Sequence, residues 1–423
     1  MSNPLFGANR QASQTFILLT VFLDMLGIGL IIPVMPVLIG QFTRSPDELA
    51  HWYGLLAATF GVMQFFCTPV LGALSDRFGR RPVLLLSIFG LGCSLFVHAT
   101  AGSLLALFLI RIVSGGTAAS FSVANAYMAD ITPPEKRGKG FGLLGAAFGL
   151  GFIFGPVIGG LLGEHDVRLP FFVAGGLAIV NWLYGFFVLP ESLPRERRAP
   201  FSLARANPFS ALLHLGRLRG VGRLVGVFAL CVLPQFILQT SWVLYTQMRF
   251  GWTPGDNGFA LFLVGVLSVV VQGGLQGRLL RVFGERRLAL TGLASGAIAY
   301  VCYGLATAGW VMYVVILANF LSFAAGPALQ AIVSRSVGAT EQGLTQGSLN
   351  AINSLAIIFG PLIGTTILAR VGHLPGHDWR MGSLFFLCAA LQALAWWLAR
   401  AHFRGLRVCE WQDPALESSR LRS

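Results

Sequence analysis

Residues 72–83 read GALSDRFGRRPV and join two long apolar runs, 52–74 and 83–101. Two membrane-length helices with so short a charged link form a hairpin. Its charges, Asp76, Arg77, Arg80 and Arg81, then lie at a membrane face, because no acid or guanidinium stays ionised in lipid without a partner. Asp76 closes the first helix of the hairpin, where a carboxylate opposes the helix dipole. That placement calls for a nearby cation or helix N-terminus and suggests a latch.

The flanking sequence supports the membrane reading. Of the 423 residues 55% are hydrophobic and 11% charged, with a mean hydropathy of +0.71, which is unlike a soluble domain. A spanning helix needs about 20 apolar residues. Twelve such runs occur, at 15–40, 52–74, 83–101, 104–128, 140–163, 170–190, 224–247, 257–280, 288–308, 310–333, 343–369 and 380–400. The expected fold is an all-α membrane protein of 12 transmembrane helices in two six-helix bundles, 15–190 and 224–400. A tail at 1–14, a linker at 191–223 and a tail at 401–423 lie outside them. The linker holds seven arginines and several prolines, a composition suited to anionic headgroups.

The net charge of +13 follows topology. With the N-terminus inside, every Lys and Arg but six falls on the inner side. Arg44, Arg168, Arg249, Arg370 and Arg380 fall outside, and Arg111 within a span. Both termini are therefore expected in the cytoplasm, and nucleic acid is not an expected partner. Of six cysteines, Cys67, Cys93, Cys231, Cys302 and Cys388 lie in spans and Cys409 in the inner tail, so no disulfide framework is expected. The first run is too long for a signal-peptide core and carries an acid, so it is expected to remain as the first helix.

That acid, Asp24, is the only one well inside any span, and an intramembrane ionisable group is a functional candidate. Arg111 in the fourth span is its natural counterpart by depth. At ~1.5 Å per residue, the two lie at levels about 5 Å apart in a core of ~30 Å, which a long Arg side chain can bridge. Asp130, at the inner end of the fourth span, and Glu135 beyond it are candidate partners for Arg80 or Arg81. The fifth span is rich in glycine, with Gly155, Pro156, Gly159 and Gly160 forming small faces and a proline kink.

The chain also repeats itself. Gly72, Phe78, Gly79 and Arg81 match Gly277, Phe283, Gly284 and Arg286, and Gly155-Pro156 matches Gly360-Pro361, all at an offset of 205. Two sites with one offset indicate duplication, as in two-half transporters. At that offset Asp76 becomes Arg281, Asp24 becomes Ala229 and Arg111 becomes Ile316, so charge is concentrated in the first half. Candidate cavity residues are Gln64, Asn125 and Phe148 in the first half and Gln235, Gln239, Trp242, Asn319, Asn350 and Asn353 in the second.

The pattern G-x-L-x-D-R-x-G-R-R resembles the loop signature of the major facilitator superfamily of secondary transporters. The arginine and small-residue pair Arg111, Gly115 and Gly116 resembles its fourth-helix motif, and G-P-x-x-G-G at 155–160 its antiporter signature. The segments DMLGIGLIIPVMP (24–36), PVLGALSDRFGRRPVL (69–84), YMADIT (127–132), LPES (189–192) and PALQAIVSR (327–335) are similar to the tetracycline–proton antiporters among the drug:proton antiporters. The resemblance implies proton-coupling roles for Asp24 and Arg111 and gating roles for Gly72, Ser75, Asp76, Gly79, Arg80, Arg81 and Asp130. It implies export of a small amphipathic drug across a bacterial inner membrane, driven by a proton gradient, by a monomer needing no cofactor or metal. Ser295, Ser268 and Ser94 stand where that group commonly has an acid, a histidine and an acid, which favours a substrate other than a tetracycline–metal chelate. A metabolite or sugar transporter of the same fold is the alternative. A membrane enzyme would need paired catalytic groups at one depth, which a single intramembrane carboxylate does not supply.

Overall fold

The computed structural model describes residues 4–133, 136–202, 222–335 and 342–411, and every regular element in them is helical. Part of the predicted linker, 203–221, and Glu135 lie outside the described residues. The helices are α1 (Pro4–Ile31), α2 (Met35–Gly40), α3 (Pro46–Phe78), α4 (Arg80–Thr100), α5 (Leu104–Gly116), α6 (Ser120–Ile131), α7 (Arg137–His165) and α8 (Leu169–Val188). After the linker come α9 (Gly222–Phe250), α10 (Pro254–Val269), a π-helical turn (Val270–Leu275), α11 (Gln276–Leu305), α12 (Gly309–Ala318), α13 (Ser322–Arg335), α14 (Gln342–Val371) and α15 (Ser383–Trp411).

Local chemistry accounts for the breaks. The run 15–40 was expected as one helix and is two. Pro33 and Pro36 lack an N–H and disfavour helix in the residue before them, so the chain turns at 32–34. The start of α3 is capped by Ser45, whose hydroxyl accepts from the Glu48 amide at 3.2 Å, with Pro46 and two acids in the first turn. It ends at Gly79, whose φ of 110° is left-handed and suits glycine. α4 begins at the next residue, so the hairpin turn is one residue wide. The fourth span is broken at 117–119, and the Thr68 hydroxyl donates to the freed Ala118 carbonyl at 3.2 Å.

Among the described residues ten stretches are long and apolar enough to cross a membrane, or eleven with the bent pair of α12 and α13. One of them, Pro254–Leu305, has 52 residues. At ~1.5 Å per residue it is more than twice the ~30 Å of a hydrocarbon core, so it holds two crossings. The reversal is at Gly284, where φ is 70°. Twelve crossings result. Gly79 and Gly284 occupy equivalent places in the two sequence copies, so the duplication extends to the backbone of the turn.

Two compact units form. One joins the first half with Thr240–Val266 and Ile357–Asp378, and the other comprises Ala211–Gln239, Leu267–Ala356 and Trp379–Ser423. Inside the first unit α7 has two glycine faces. Toward α1, a Cβ on Gly155 would come within 2.7 Å of Gly29 Cα and of the Leu26 carbonyl, one on Gly151 within 2.5 Å of the Phe22 carbonyl, and one on Gly159 would collide with the Leu30 carbonyl. Toward α10, Gly160 abuts the Pro254 carbonyl and Gly258 the Pro156 carbonyl, each at 2.5 Å from a built Cβ. Gly54 likewise lies against Thr365, and Gly61 against Ile357. All four of these latter contacts join α3 or α7 to helices of the second sequence copy. The second unit has its own core, including Val227, Leu288, Leu293, Ala324, Leu329 and Ala395.

Gly159→Val should overpack the α1–α7 seam by about 1–3 kcal/mol and lower the thermal midpoint of the detergent-solubilised protein. Gly142→Ala, with nothing within 4 Å of its Cβ position, should leave the midpoint in place.

Candidate functional site

At the end of the first unit that carries the α3–α4 turn, Arg80 is a hub. Its guanidinium pairs with Asp76 one helical turn back, donates from Nε to Asp130 Oδ2 at 3.1 Å, and donates from Nη1 to Ser75 Oγ at 2.7 Å. Ser75 is buried and donates in turn to the Gly72 carbonyl at 2.8 Å. The cation expected beside Asp76 is therefore Arg80, and Asp130 is shared with Ser192 Oγ at 3.2 Å. Arg81 turns the other way, donating to the Phe186 carbonyl on α8 and lying 5.9 Å from the Phe186 ring centre.

Sequence reading passed over Glu191 as a site residue. Its carboxylate accepts from the backbone amides of Arg80 (2.8 Å) and Arg81 (3.3 Å), the first two of α4, and from those of Ser192 and Leu193. This is an N-terminal cap supplied from 110 residues away. A side chain on Gly79 would strike that carboxylate, so the glycine serves both the turn and the close approach. Beside it the Ala199 amide donates to the Asp76 carbonyl at 3.1 Å, and the Tyr127 hydroxyl to the Pro190 carbonyl at 2.8 Å. The available signal was an acid just after a helix-ending proline, at the end where cations gather.

Deeper in the first unit, Asp24 is 2% exposed. The Ser120 hydroxyl lies beside its carboxylate, and Oδ1 has no hydrogen-bond partner. Ser120 is the first residue of α6, so the break at 117–119 brings a helix N-terminus to the carboxylate in mid-span. One turn before Asp24, Thr20 donates to Asn181 Oδ1 on α8 at 3.2 Å, and both are fully enclosed. Arg111 does not pair with Asp24 here. It faces α3 instead, with its guanidinium 5.7 Å from the Phe60 ring centre and within electrostatic reach of Tyr53. Agreement in depth left the direction around the helix axis undecided. Asp24 faces α6, and Arg111 faces α3.

The antiporter-type residues Gly155, Pro156, Gly159 and Gly160 form the two-faced seam of α7 described above. The cavity candidates divide between the units. In the first, Asn125 donates to the Phe121 carbonyl of its own helix, Phe148 lies between Phe121 and Phe152, Gln64 is half-buried, and Trp242 is buried edge-on to Trp252. In the second, Gln235, Gln239 and Asn350 are exposed and Asn353 is half-buried. Asn319 is committed to helix pairing, accepting from Ser295 Oγ at 2.9 Å. Ser268 accepts from Gln272 at 2.7 Å. Among the described residues no three His, Cys, Asp or Glu side chains group as metal ligands.

Comparison with known proteins gives one consistent result. The Major Facilitator Superfamily model matches residues 17–361 and 277–418. The class C tetracycline resistance protein of Escherichia coli is 42% identical over 90% of this chain and 96% of its own length. Multidrug resistance protein 2 of Bacillus subtilis (strain 168) is 31% identical over 87% and 92%. Among solved structures, the human organic anion transporter MFSD10 (TETRAN) superposes with a TM-score of 0.68 at 26% identity, over 92% of this chain and 99% of that one. The D-xylose-proton symporter shares the fold, with a TM-score of 0.67 at 18% identity.

Arg80 places three donor contacts on three groups, which an ammonium cannot reproduce. Arg80→Lys should lose at least one charge-assisted bond, about 1.5–3 kcal/mol. Transport should fall about tenfold or more while expression holds, measured as initial rates in vesicles.

Proposed function

The chain belongs to the major facilitator superfamily, and on that premise we propose that it exports a small amphipathic drug-like compound in exchange for protons. The resistance proteins it resembles over nearly its whole length support drug export. Asp24 carries the proton part of the reading. It is a carboxylate enclosed in the first bundle, beside a hydroxyl at a helix N-terminus and with one oxygen without a hydrogen-bond partner. Such a group gains or loses a proton as its surroundings change, and an acid kept in that position at the cost of desolvation is a transport residue.

Alternating access supplies the change of surroundings. With basic loops inside, the Arg80 hub lies at the cytoplasmic face, in a bacterial inner membrane with both termini cytoplasmic. The glycine contacts of α7 with α10, and of α3 with α14, lie toward the outer face and must part for the site to open outward. The hub of Asp76, Arg80, Asp130 and Glu191 holds the inner ends of α3, α4, α6 and α8 in one arrangement. Breaking it shifts the population of states. Proton binding at Asp24 and substrate release are alternatives for one cavity, in a monomer that uses the proton gradient and no cofactor.

The neutral Ser295–Asn319 and Ser268–Gln272 pairs leave those positions without a charge for a metal chelate, so a substrate lacking a bound cation fits this chain better. A susceptibility panel in a pump-deficient bacterial host, with tetracycline and amphipathic dyes, identifies the substrate. Asp24→Asn should abolish proton-driven accumulation in inverted vesicles and the resistance phenotype together. Retained coupling in that variant rules out Asp24 as the proton carrier.

A further inference from the structure

A second glutamate meets the start of another helix, at the end of the first unit away from the Arg80 hub. Glu164 is in the last turn of α7, where a carboxylate opposes the dipole of its own helix. It is one turn beyond Gly160 and so on the same face, which Gly160 lays against the Pro254 carbonyl and Gly255 of α10. A Cβ built on Gly255 would collide with Glu164 Oε1, and its three nearest atoms all belong to that carboxyl group. The acid therefore lies beside the start of the antiparallel α10, whose N-terminal dipole offsets the cost.

Thr253 completes the junction. It caps α10 reciprocally: its hydroxyl accepts from the Asp256 amide at 3.2 Å, and Asp256 Oδ2 accepts from the Thr253 amide at 2.9 Å. The same hydroxyl is 3.1 Å from Glu164 Oε1 and 3.0 Å from Asp256 Oδ2. Ionised carboxylates only accept and the hydroxyl has one proton, so it serves one carboxylate at a time. One choice ties α10 to α7, and the other closes the cap within α10. Glu164 and Asp256 are both exposed, so water meets whichever carboxylate the hydroxyl leaves.

We propose that Glu164 and Thr253 form the outer latch of the transport cycle, with a glycine at 255 to admit the carboxylate. This rests on the transport reading above, in which the two faces open in turn. While α7 and α10 touch, the Thr253 hydroxyl donates to Glu164, and the acid lies on the α10 dipole. When they part, the hydroxyl turns to Asp256, α10 keeps its cap, and Glu164 enters water. Thr253, Asp256 and Glu164 have partners in either state, so the outer end opens without stranding their polar atoms. What is given up is the favourable place of a carboxylate whose own helix end repels it. The inner end holds Glu191 against α4 beside Gly79 in a similar manner. There the acceptor takes backbone amides of its partner helix, whereas the outer latch uses a hydroxyl that can turn away.

The test needs neither substrate nor a proton gradient. Ile153 of α7 is 5% exposed and lies against Gly265 of α10, so a cysteine there reports the parting of the two helices. The measurement uses Ile153→Cys with the six native cysteines replaced by serine. A membrane-impermeant maleimide added outside intact cells gives a labelling rate. Glu164→Ala should raise that rate about threefold or more, and Gly255→Ala should raise it similarly. The two together should be no faster than Glu164→Ala alone, because the new methyl group then has no carboxylate to displace. Thr253→Ser, which keeps the hydroxyl, should leave the rate in place, and Thr253→Val should raise it. An unchanged rate in Glu164→Ala, additive effects in the double variant, or Thr253→Ser behaving as Thr253→Val overturns the proposal. If wild-type inverted vesicles drive neither ethidium nor tetracycline, the transport reading is what fails, and the labelling rates still decide whether Glu164 holds α7 to α10.

Discussion

Lipid removes the hydrophobic drive that holds soluble helices together, so helices in a membrane must associate by fit. In this protein the fit is closest between α1 and α7, where Gly29 and the Leu26 and Leu30 carbonyls meet Gly155 and Gly159 with no room for a methyl group. Much of the first unit follows from that contact. It fixes the depth and rotation of α1, and with them the position of Asp24. The opposite glycine face of α7 receives Pro254 and Gly258 from α10, so one helix serves two contacts. A helix with side chains on both faces could not do this, and this explains why the glycines lie in sets four apart along α7.

The second constraint is that polar groups freed inside a span must find partners. The break in the fourth span meets it locally, with Thr68 on the Ala118 carbonyl, and uses it, with Ser120 at the new helix start facing Asp24. Thr20 and Asn181 close a further enclosed pair one turn away. Asp24, His98 and Arg111 each keep a buried atom without a hydrogen-bond partner. Groups so placed are poised to change partners, which a transporter requires.

Comparison of the two sequence copies separates fold from function. The left-handed glycine of the short turn is present in both, at Gly79 and Gly284, because a one-residue reversal needs it in either copy. The acid of the charge cluster is not. Arg281 stands where Asp76 has its place in the first copy, is exposed, and makes only a long bond to the Gly277 carbonyl of its own helix. Duplication preserved the backbone device, and among the described residues the Arg80 hub with its Glu191 cap is seen in the first copy.

Much of this was legible in the residues. Apolar run length settled the class and the number of crossings. The offset of 205 foretold the second turn down to its glycine, and the pattern around Asp76 and Arg80 foretold a cation beside the acid, because these features depend on neighbours along the chain or on gross solvent partition. What the chain alone left open was rotation about each helix axis. Asp24 and Arg111 agree in depth but face different helices, Glu191 caps a helix that begins 111 positions earlier, and His98, in the last turn of α4, is enclosed against Phe171 of α8. Such pairings are set by which faces pack, and packing is decided by all the helices at once.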